Sequence, residues 1–439
     1  MMAKNNVNST RIVITGLGVI SPLGSDPDQL YQSLLTGRSA VAPLESLPTD
    51  TLGLRYGAEA RQFTGSIEDY GPLDKTVQRN IRKGSKVMCR EIEMGIAAAQ
   101  LAIDDAGLTA AVRDPLRTGV LYGCDYIMTL PEEFAAGVQA CLDDENQFHF
   151  EWWGQRGKPQ VNPLWLLKYL PNMPASHIAI YNDLQGPNNS ITLREASSGA
   201  ALMEAHSTLQ RGHADALIVG ATGSRIHPLR TTHAVLQETL ASERQPMEQM
   251  SRPFAIDRDG SVLGEGAGAV VLETYAHAQA RGATVLAELV GYGSSAVTAQ
   301  SAPDHLRQAL RNVMRSALGD AESIGHIHAH GAGTVLGDAQ EAGAIADLFG
   351  NDPASPPVVA AKSHFGNLGA GGGMVEIIAS IKALHERTLF PVLNAEYFDP
   401  ALPICLATGQ QTPAGDSFLS VNVTPQGQAS AIRIQRFQD

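Results

Sequence analysis

The amino-acid sequence predicts an α/β fold in which helices cover a mainly parallel sheet. Short apolar strands alternate with helical segments throughout its 439 residues. The apolar strand predicted at residues 11–19 is echoed by another at residues 287–293, which indicates an internal duplication. We therefore expect two α/β halves of like topology, the first over residues 11–275 and the second over residues 276–437.

Later elements repeat in the same order in the two predicted halves. Each matched piece is short, so the prediction of a duplication depends on their shared order. The paired segments are residues 117–123 with 324–331, 198–210 with 372–385, and 268–272 with 429–434. The first and third pairs are apolar runs typical of strands, and the second pair has the length of a helix.

Composition and charge limit the partners of this chain. The formal net charge is −13, which argues against nucleic acid or an anionic membrane surface as the main partner. No apolar stretch approaches the roughly 20 residues that span a bilayer, and the polar residues 1–10 do not resemble a signal peptide. The four cysteines, Cys89, Cys124, Cys141 and Cys405, lack the spacing of a disulfide framework or a zinc site. We expect a cytoplasmic protein with no membrane partner.

Two patterns bring a cofactor or a metal into consideration. Gly16 and Gly18 follow a strand, but no third glycine stands at the spacing of a dinucleotide-binding loop. His326, His328 and His330 alternate along a strand and would point to one face of the sheet, as a metal tripod requires. Because no acidic ligand or further histidine pair is spaced to complete such a site, the sequence predicts neither a cofactor nor a metal. It favours a catalytic role for His330 alone.

Ordered motifs along nearly the whole chain resemble those of the β-ketoacyl-acyl carrier protein synthases of the thiolase superfamily. The most specific match covers residues 330–334 with Glu341, followed by residues 362–367. Further matched segments are residues 11–18, 21–24, 178–180, 186–188, 252–254, 257–260 and 264–268. The resemblance implies a thiolase-like fold, in which the two halves pack into a five-layered α-β-α-β-α arrangement that dimerises through strands.

The resemblance assigns a catalytic site, and Glu195 stands where that family has its nucleophilic cysteine. It matches the first catalytic histidine to His330, the second to Asn367, and a structural lysine and glutamate to Lys362 and Glu341. We expect these side chains to converge in one buried pocket. A thiolate holds an acyl chain as a thioester, whereas an acylated carboxylate would be a hydrolysis-prone anhydride. Glu195 is therefore not expected to do the work of the cysteine.

Other departures from the family surround this position. Asn367 can still donate a hydrogen bond, but it changes one of two imidazole donors in kind. Arg194 stands where the family has a small residue before the nucleophile. Residues 423–428 replace a glycine-rich loop, and Pro425 in this segment fixes φ, so we expect a loop less able to flex.

A run of basic residues provides a second candidate site. Its members fall at i, i+3, i+4, i+7 and i+11, a spacing that would gather them on one face of a helix. They are Arg79, Arg82, Lys83, Lys86 and Arg90. Because the region matches the family's docking segment on an otherwise acidic chain, we expect it to bind an acidic acyl carrier protein. A solvated helix face is the alternative.

Three functions stay open from the sequence. The first is a non-condensing member, like the chain-length factors that pair with an active ketosynthase in fatty acid or polyketide biosynthesis, present as a homodimer or a heterodimer. The second is a malonyl-carrier decarboxylase, and the third is an active 3-oxoacyl synthase that uses Ser197, Ser198 or Cys124. Decarboxylation passes through an enolate, and a charged Glu195 about 4 Å away would cost about 4 kcal/mol at an effective dielectric constant of 20. The sequence therefore favours the first function.

Overall fold

Ten strands form one mixed sheet in the part of the chain that the structure, a computed structural model, describes: residues 10–321, 323–350, 355–407 and 412–438. These strands are β1 Ile12–Ile20, β2 Thr118–Cys124, β3 Asn188–Thr192, β4 Ala216–Ser224, β5 Glu265–Thr274, β6 Ala287–Ala296, β7 His326–His328, β8 Val358–Val359, β9 Ser417–Val423 and β10 Gln428–Gln435. A two-stranded hairpin, Ala42–Pro43 with Tyr56–Gly57, lies outside this sheet. The order across the main sheet is β8-β7-β9-β10-β6-β1-β5-β4-β2-β3.

The strand order repeats itself on the two sides of the sheet centre. From the centre outward, the first five strands run β1-β5-β4-β2-β3 and the last five run β6-β10-β9-β7-β8. In each set the two inner pairings are antiparallel and the two outer pairings are parallel. The two sets join through the residue pairs Val13 with Glu288 and Ile14 with Ala287. Strand for strand, the second set has the topology of the first, while the division between residues 275 and 276 stays a prediction.

Helices cover both faces of the sheet in the described ranges. They are α1 Pro27–Leu35, α2 Thr49–Leu52, α3 Lys75–Gly84, α4 Arg90–Asp105, α5 Glu132–Gln139, α6 Met173–Asn182, α7 Ser197–Gln210, α8 Pro228–Gln237, α9 Tyr275–Ala280, α10 His305–Leu318, α11 Val335–Phe349, α12 Lys362–Phe365 and α13 Gly372–Glu386. Within those ranges, no helix is long and apolar enough to cross a membrane.

The helices divide into three layers with the two strand sets between them. Helices α7 and α13 contact strands of both sets, so they form the central layer. Helix α4 packs on the outer face of the first set, and α10 packs on the second set with α11 beside it. The predicted α/β fold and its five-layered arrangement are therefore confirmed. The prediction of a mainly parallel sheet is wrong, because the inner strands of each set and the strands that join the two sets pair antiparallel, which makes five of the nine pairings between the described strands antiparallel. The helices predicted at residues 198–210 and 372–385 are α7 and α13.

Close packing against β1 explains its glycines. All nine residues of β1 are buried, as expected for a strand covered on both faces. A Cβ atom at Gly18 would lie 2.0 Å from the carbonyl oxygen of Ala98 in α4, and one at Gly16 would lie 2.4 Å from that of Ala102. The pattern that resembled the start of a nucleotide-binding loop thus permits a helix to approach a strand.

Parallel strands of both sets end close to the candidate site. Strand β3 leads into α7 through a turn that carries Glu195, and β4 is followed directly by Arg225. In the second set, β7 is followed two residues later by His330, and β8 leads into α12, which begins at Lys362. The carboxyl ends of parallel strands are the usual location of functional groups in α/β proteins.

Candidate active site

Glu195 lies in a short 3₁₀ turn, Arg194–Ala196, between β3 and α7. The residue is 1% exposed. Arg194 has a φ of 49°, a left-handed conformation that costs an ordinary L-residue about 1–2 kcal/mol. Such conformations persist only where the surrounding contacts hold them, so the turn is a specifically maintained part of the molecule.

Two arginines and a second glutamate hold the Glu195 carboxylate. Its Oε1 atom accepts hydrogen bonds from Nη1 of Arg225 at 3.1 Å and from Nη2 of Arg194 at 3.4 Å. Both arginines also donate to Oε1 of Glu238, Arg225 at 2.5 Å and Arg194 at 2.8 Å. We call Arg194, Glu195, Arg225 and Glu238 the Glu195 cluster; it pairs two positive with two negative charges. The side chains of Glu195 and Arg225 are 2% and 4% exposed, so these ion pairs are buried.

The Glu195 cluster keeps Glu195 ionised. Burial alone would raise the pKa of its carboxyl, but the guanidinium groups of Arg194 and Arg225 outweigh burial and lower the pKa to about 2. Glu195 also lies just before the N-terminus of α7, where a negative charge is favourable. At neutral pH the position therefore carries a charge that is already paired.

His330 belongs to a second buried network, which lies in the second half of the chain. Its Nδ1 atom lies 3.2 Å from Oδ1 of Asn422. Asn422 donates from Nδ2 to Glu376 at 3.1 Å, and Nζ of Lys362 lies 3.5 Å from the same Oδ1 atom and also bonds Glu376. This arrangement fixes the Asn422 amide, because a flipped amide would direct its NH₂ group at the lysine ammonium. We refer to His330, Lys362, Glu376 and Asn422 as the His330 network.

The His330 network sets the protonation of the imidazole. Because Asn422 offers an oxygen, Nδ1 of His330 carries the proton, and Nε2 is left as a hydrogen-bond acceptor. Burial, and then the charge of Lys362, lower the pKa of His330 to about 3. The ring is therefore neutral at pH 7.

Glu341 holds the backbone around His330. Its carboxylate accepts hydrogen bonds from the backbone N–H groups of His330 at 2.6 Å and Gly331 at 2.8 Å. Burial raises the pKa of Glu341 to about 8, although these two N–H groups act in the opposite direction. Glu341 thus positions the segment that carries the histidine.

Asn367 connects the two sides of the site. Its Nδ2 atom donates to Oε1 of Glu195 at 3.1 Å, and its Oδ1 atom accepts from the backbone N–H of Gly369 at 2.9 Å. An amide N–H predicted to face a substrate carbonyl is therefore committed to Glu195.

A cavity of about 390 Å³ opens onto these groups. Its lining includes Glu195, Glu238, His330, Glu341 and Asn367, together with Ser261, Thr334, Val335, Leu336, Val423, Thr424 and Pro425. The last three belong to residues 423–428, which form a tight turn between β9 and β10. The turn is closed by a 2.8 Å bond from the N–H of Thr424 to the carbonyl of Gln428. His305 bonds the Pro425 carbonyl at 3.3 Å, so this wall of the cavity is fixed in place.

The structure brings together most of the residues that the sequence singled out. Glu195, His330, Asn367 and Glu341 line one cavity, and Lys362 lies behind His330, joined to it through Asn422. Their chemical roles stay predictions. Sequence reasoning missed Arg225, Glu238, Glu376 and Asn422. The position of Arg225 in the sequence could have identified it. It is an arginine directly after a fully buried strand, at the same end of the sheet as Glu195.

The three residues considered as replacement nucleophiles have structural roles. Cys124 is buried, and burial followed by the charge of Glu91 raises its thiol pKa well above the ordinary value. The hydroxyl of Ser197 accepts from the N–H of Leu193 at 2.9 Å and donates to the carbonyl of Cys124 at 3.2 Å. Ser198 donates to the carbonyl of Ala370 at 2.7 Å. None of these groups is placed as an activated nucleophile.

The basic residues do not share one helix face, so this part of the prediction is wrong. Helix α3 ends at Gly84, Lys86 lies in a 3₁₀ turn, and Arg90 begins α4. Met88 and Cys89 are extended, which breaks the helical spacing between Lys86 and Arg90. Arg90 donates to Glu265 at 2.8 and 2.9 Å, so its guanidinium group is already paired within the chain. Arg79, Arg82, Lys83 and Lys86 are exposed and close in sequence.

The alternating histidines of β7 are used in packing. His326 and His328 both contact the hydroxyl of Ser380, at 3.1 and 2.8 Å. Among the described residues, no group of three or more histidine, cysteine, aspartate or glutamate side chains is arranged to hold a metal ion.

Comparisons with known proteins agree along the length of the chain. Residues 9–278 match the family described as beta-ketoacyl synthase, N-terminal domain, and residues 286–396 match the corresponding C-terminal domain. The 3-oxoacyl-[acyl-carrier-protein] synthase 2 of Synechocystis is 30% identical over 410 residues, which are 92% of each chain. That of Coxiella burnetii is 31% identical over 391 residues, 88% of each chain.

Solved structures share the fold. A beta-ketoacyl synthase from Burkholderia phymatum superposes with a TM-score of 0.81 at 25% identity, covering 98% of this chain and all of that one. The ishigamide ketosynthase/chain length factor gives a TM-score of 0.80 at 24% identity, with the same coverage. A ketosynthase in complex with its type II polyketide acyl-carrier protein gives 0.79 at 23%, again with the same coverage. The last two likenesses show the fold alone, and the predicted thiolase-like fold is confirmed.

Proposed function

The chain belongs to the β-ketoacyl synthase family, and from this premise we propose that it is a non-condensing member, the chain-length-factor-like partner of an active ketosynthase in fatty acid or polyketide biosynthesis. The observation that carries the proposal is the buried, ionised Glu195 held between Arg194 and Arg225. A nucleophile must be free to leave its partners and to carry an acyl group. Glu195 has the opposite character, because acylation would remove its charge and leave the guanidinium groups of Arg194 and Arg225 paired only with Glu238.

Decarboxylation of a malonyl thioester fits the site less well. The enolate that forms needs hydrogen-bond donors aimed at its oxygen. The Nδ1 proton of His330 is directed at Asn422, and an N–H of Asn367 is bonded to Glu195. Protonation of Glu195, which this reaction would favour, is opposed by the same two arginines. Condensation through another residue is disfavoured because Cys124, Ser197 and Ser198 are buried and occupied by packing or hydrogen bonds.

The decisive experiment is incubation of the purified protein with acyl- and malonyl-carrier protein, read by intact mass and by release of carbon dioxide. We expect no acyl adduct and no β-ketoacyl product from the native protein. The Glu195→Cys variant places a thiol beside Arg194 and Arg225, whose charges favour the thiolate. It should still make no β-ketoacyl product, because the Nδ1 proton of His330 is directed at Asn422 and is not available to a thioester carbonyl. Glu204→Gln, on the exposed surface of α7, makes a charge change away from the site and serves as the control. An acyl adduct on the native protein would overturn the proposal.

The Glu195→Gln variant separates the proposal from the decarboxylase alternative. If the variant releases carbon dioxide while the native protein does not, the negative charge alone was the barrier to an otherwise competent anion site. We expect both proteins to be silent, since the Nδ1 proton of His330 is still directed at the Oδ1 atom of Asn422 in the variant.

The proposed partnership has two surfaces. Strand β3 ends the sheet, and no strand in the described parts of this chain pairs with its outer edge, which supports a dimer formed through strands. Mixing the protein with an active ketosynthase should give a heterodimer in which product length depends on both chains. A native mass that shows only homodimers after co-expression would contradict the heterodimer.

The carrier-docking surface is proposed at Arg79, Arg82, Lys83 and Lys86, on α3 and the turn after it. Charge reversal with Arg82→Glu and Lys86→Glu should weaken carrier binding about tenfold at low salt and less at physiological salt, where charges are screened over about 8 Å. Reversal of the exposed Arg211 and Arg315 makes the same change in net charge elsewhere and is the control. Equal affinity in the two double variants would discard this surface.

A further inference from the structure

Part of the wall of the 390 Å³ cavity is ionic. Glu195 and Glu238 line this cavity, and both are bonded to Arg225. A second cavity of about 180 Å³, with no lining residue in common with the first, is lined by Ser224 and Ile226, the chain neighbours of Arg225. Arg225 therefore lies between two residues that line the second cavity, and its guanidinium group is bonded to carboxylates that line the first.

A further ion pair reinforces this wall. Asp125 and Arg230 are both buried and lie 2.5 Å apart. They are close to the Glu195 cluster, since a Cβ atom at Gly369 would contact both Cγ of Arg225, at 3.3 Å, and Oδ2 of Asp125, at 4.0 Å. An acyl chain that passed from the first cavity to the second would have to separate these ion pairs and leave buried charges without partners.

The polarity of the cavity end also disfavours a thioester. A thioester carbonyl is an acceptor and needs donors. The Nδ1 proton of His330 is directed at Asn422, and one of the two amide N–H groups of Asn367 is directed at Glu195, so these two residues leave a single N–H for such a carbonyl. His330 retains Nε2 as an acceptor, and this residue lines the cavity. A free thiol is a weak donor with no carbonyl to satisfy, so it suits an acceptor-rich end better than a thioester does.

We infer that the 390 Å³ cavity selects the thiol-terminated pantetheine arm of an unacylated carrier protein over acylated arms. The inference rests on the proposed function for the choice of a carrier protein as the partner. A volume of about 390 Å³ lies in the range of small-molecule sites, roughly 300–1,000 Å³. In a complex with an active ketosynthase, such a site would hold the carrier after its acyl group has left and would not compete for the loaded carrier.

The test compares three small probes on the full-length protein: pantetheine, S-acetylpantetheine and S-malonylpantetheine. Dissociation constants are measured by ligand-observed NMR titration, so no carrier docking is needed. We expect pantetheine to bind about tenfold more tightly than the acetyl thioester, the size of one hydrogen-bond mismatch at a buried site. The malonyl thioester should be weaker again by about tenfold, because its carboxylate would approach Glu195 and Glu238. Equal or tighter binding of the acetyl thioester overturns the inference, as does the lack of saturable binding by all three probes.

Two variants test whether the charges of the Glu195 cluster cause the weaker binding of the malonyl thioester. Glu195→Gln removes one charge and should reduce the malonyl penalty while the preference for the thiol over the acetyl thioester changes less than about threefold. Glu204→Gln, which removes an exposed charge on the same helix, should leave all three constants unchanged. A malonyl penalty unaltered in Glu195→Gln overturns the electrostatic part. The proposed function fails on a covalent acyl adduct or a condensation product, neither of which these binding ratios measure, so the two failures are distinguishable.

Discussion

The two sides of the cavity are both buried networks of charge, yet they present different chemistry. On the first-half side, the Glu195 cluster uses its charges on one another. On the second-half side, the Lys362–Glu376 pair and Asn422 leave a neutral imidazole with an open acceptor at the cavity. The difference teaches that two halves of like topology can line one cavity with different chemistry, an internally paired ion cluster on one side and a neutral imidazole on the other.

The largest loss of stability is expected when an ion pair of the Glu195 cluster is removed. Arg225→Met leaves Glu195 and Glu238 sharing Arg194 alone, and removal of one partner from a buried ion pair costs about 3–5 kcal/mol. Urea unfolding followed by circular dichroism measures the loss. The double variant Glu195→Gln with Arg225→Met should regain part of it, because one charge is then removed with its partner. A loss below about 1 kcal/mol in the single variant would mean that the cluster is not the buried unit described here.

Removal of an ion pair from the His330 network should reduce the free energy of unfolding somewhat less. Lys362→Met removes the ammonium from Glu376, but Nδ2 of Asn422 still donates to that carboxylate. We expect a loss of about 3 kcal/mol, at the lower end of the range for a broken buried pair. The pKa of His330 should also rise, because the charge of Lys362 is one cause of its depression. NMR titration of the imidazole checks this, and an unchanged His330 titration would separate the lysine from the histidine.

Glu195 and Glu341, one carboxyl group from each half of the chain, should make contributions to stability that respond to pH with opposite signs. The pKa of Glu195 is lowered from 4.5 to about 2, so its contribution to stability is complete above about pH 4.5 and is lost as the pH falls toward 2. The pKa of Glu341 is raised to about 8, so its contribution is complete below about pH 4.5 and is lost as the pH rises toward 8. Relative to the native protein, Glu195→Gln should flatten the loss of stability between pH 5 and 3, by about 1–3 kcal/mol. Glu341→Gln should flatten it between pH 5 and 8.

The smallest loss of stability is expected at an exposed ion pair, which serves as a reference for the losses at the buried pairs. Arg211 and Glu204 lie 3.5 Å apart with side chains 55% and 43% exposed. Arg211→Ala should change the free energy of unfolding by less than about 0.5 kcal/mol, since solvent already screens the pair. A loss comparable with that of Arg225→Met would show that burial does not distinguish the Glu195 cluster.

The fold was predictable because its signals are local. Strand β1 and helices α7 and α13 are continuous runs whose apolar patterns identify them. The prediction that the basic residues share one helix face was wrong because it extended the helix beyond Gly84. A Cβ atom at Gly84 would lie 1.7 Å from the hydroxyl oxygen of Tyr181, so tertiary contact and the extended residues that follow end the helix.

The site was predictable only in part. Glu195 and His330 stand in recognisable motifs, whereas Arg225 and Glu238 meet Glu195 from 30 and 43 positions away along the chain, as their hydrogen bonds to its carboxylate and to Arg194 and Arg225 establish. Arg194 was recognised as unusual, but its partners depend on where β4 and α8 end. Such pairings are properties of the folded arrangement and have no counterpart in local spacing.

The Glu195 cluster also constrains how this chain can change by mutation. A thiol at position 195 leaves the guanidinium groups of Arg194 and Arg225 with one carboxylate, and removal of Arg225 alone leaves two carboxylates with one guanidinium group. Each single change costs several kcal/mol out of the roughly 5–15 kcal/mol that stabilise a typical native protein. Arg194, Glu195 and Arg225 are therefore expected to tolerate substitution together better than one at a time, so the cluster behaves as a single unit under mutation.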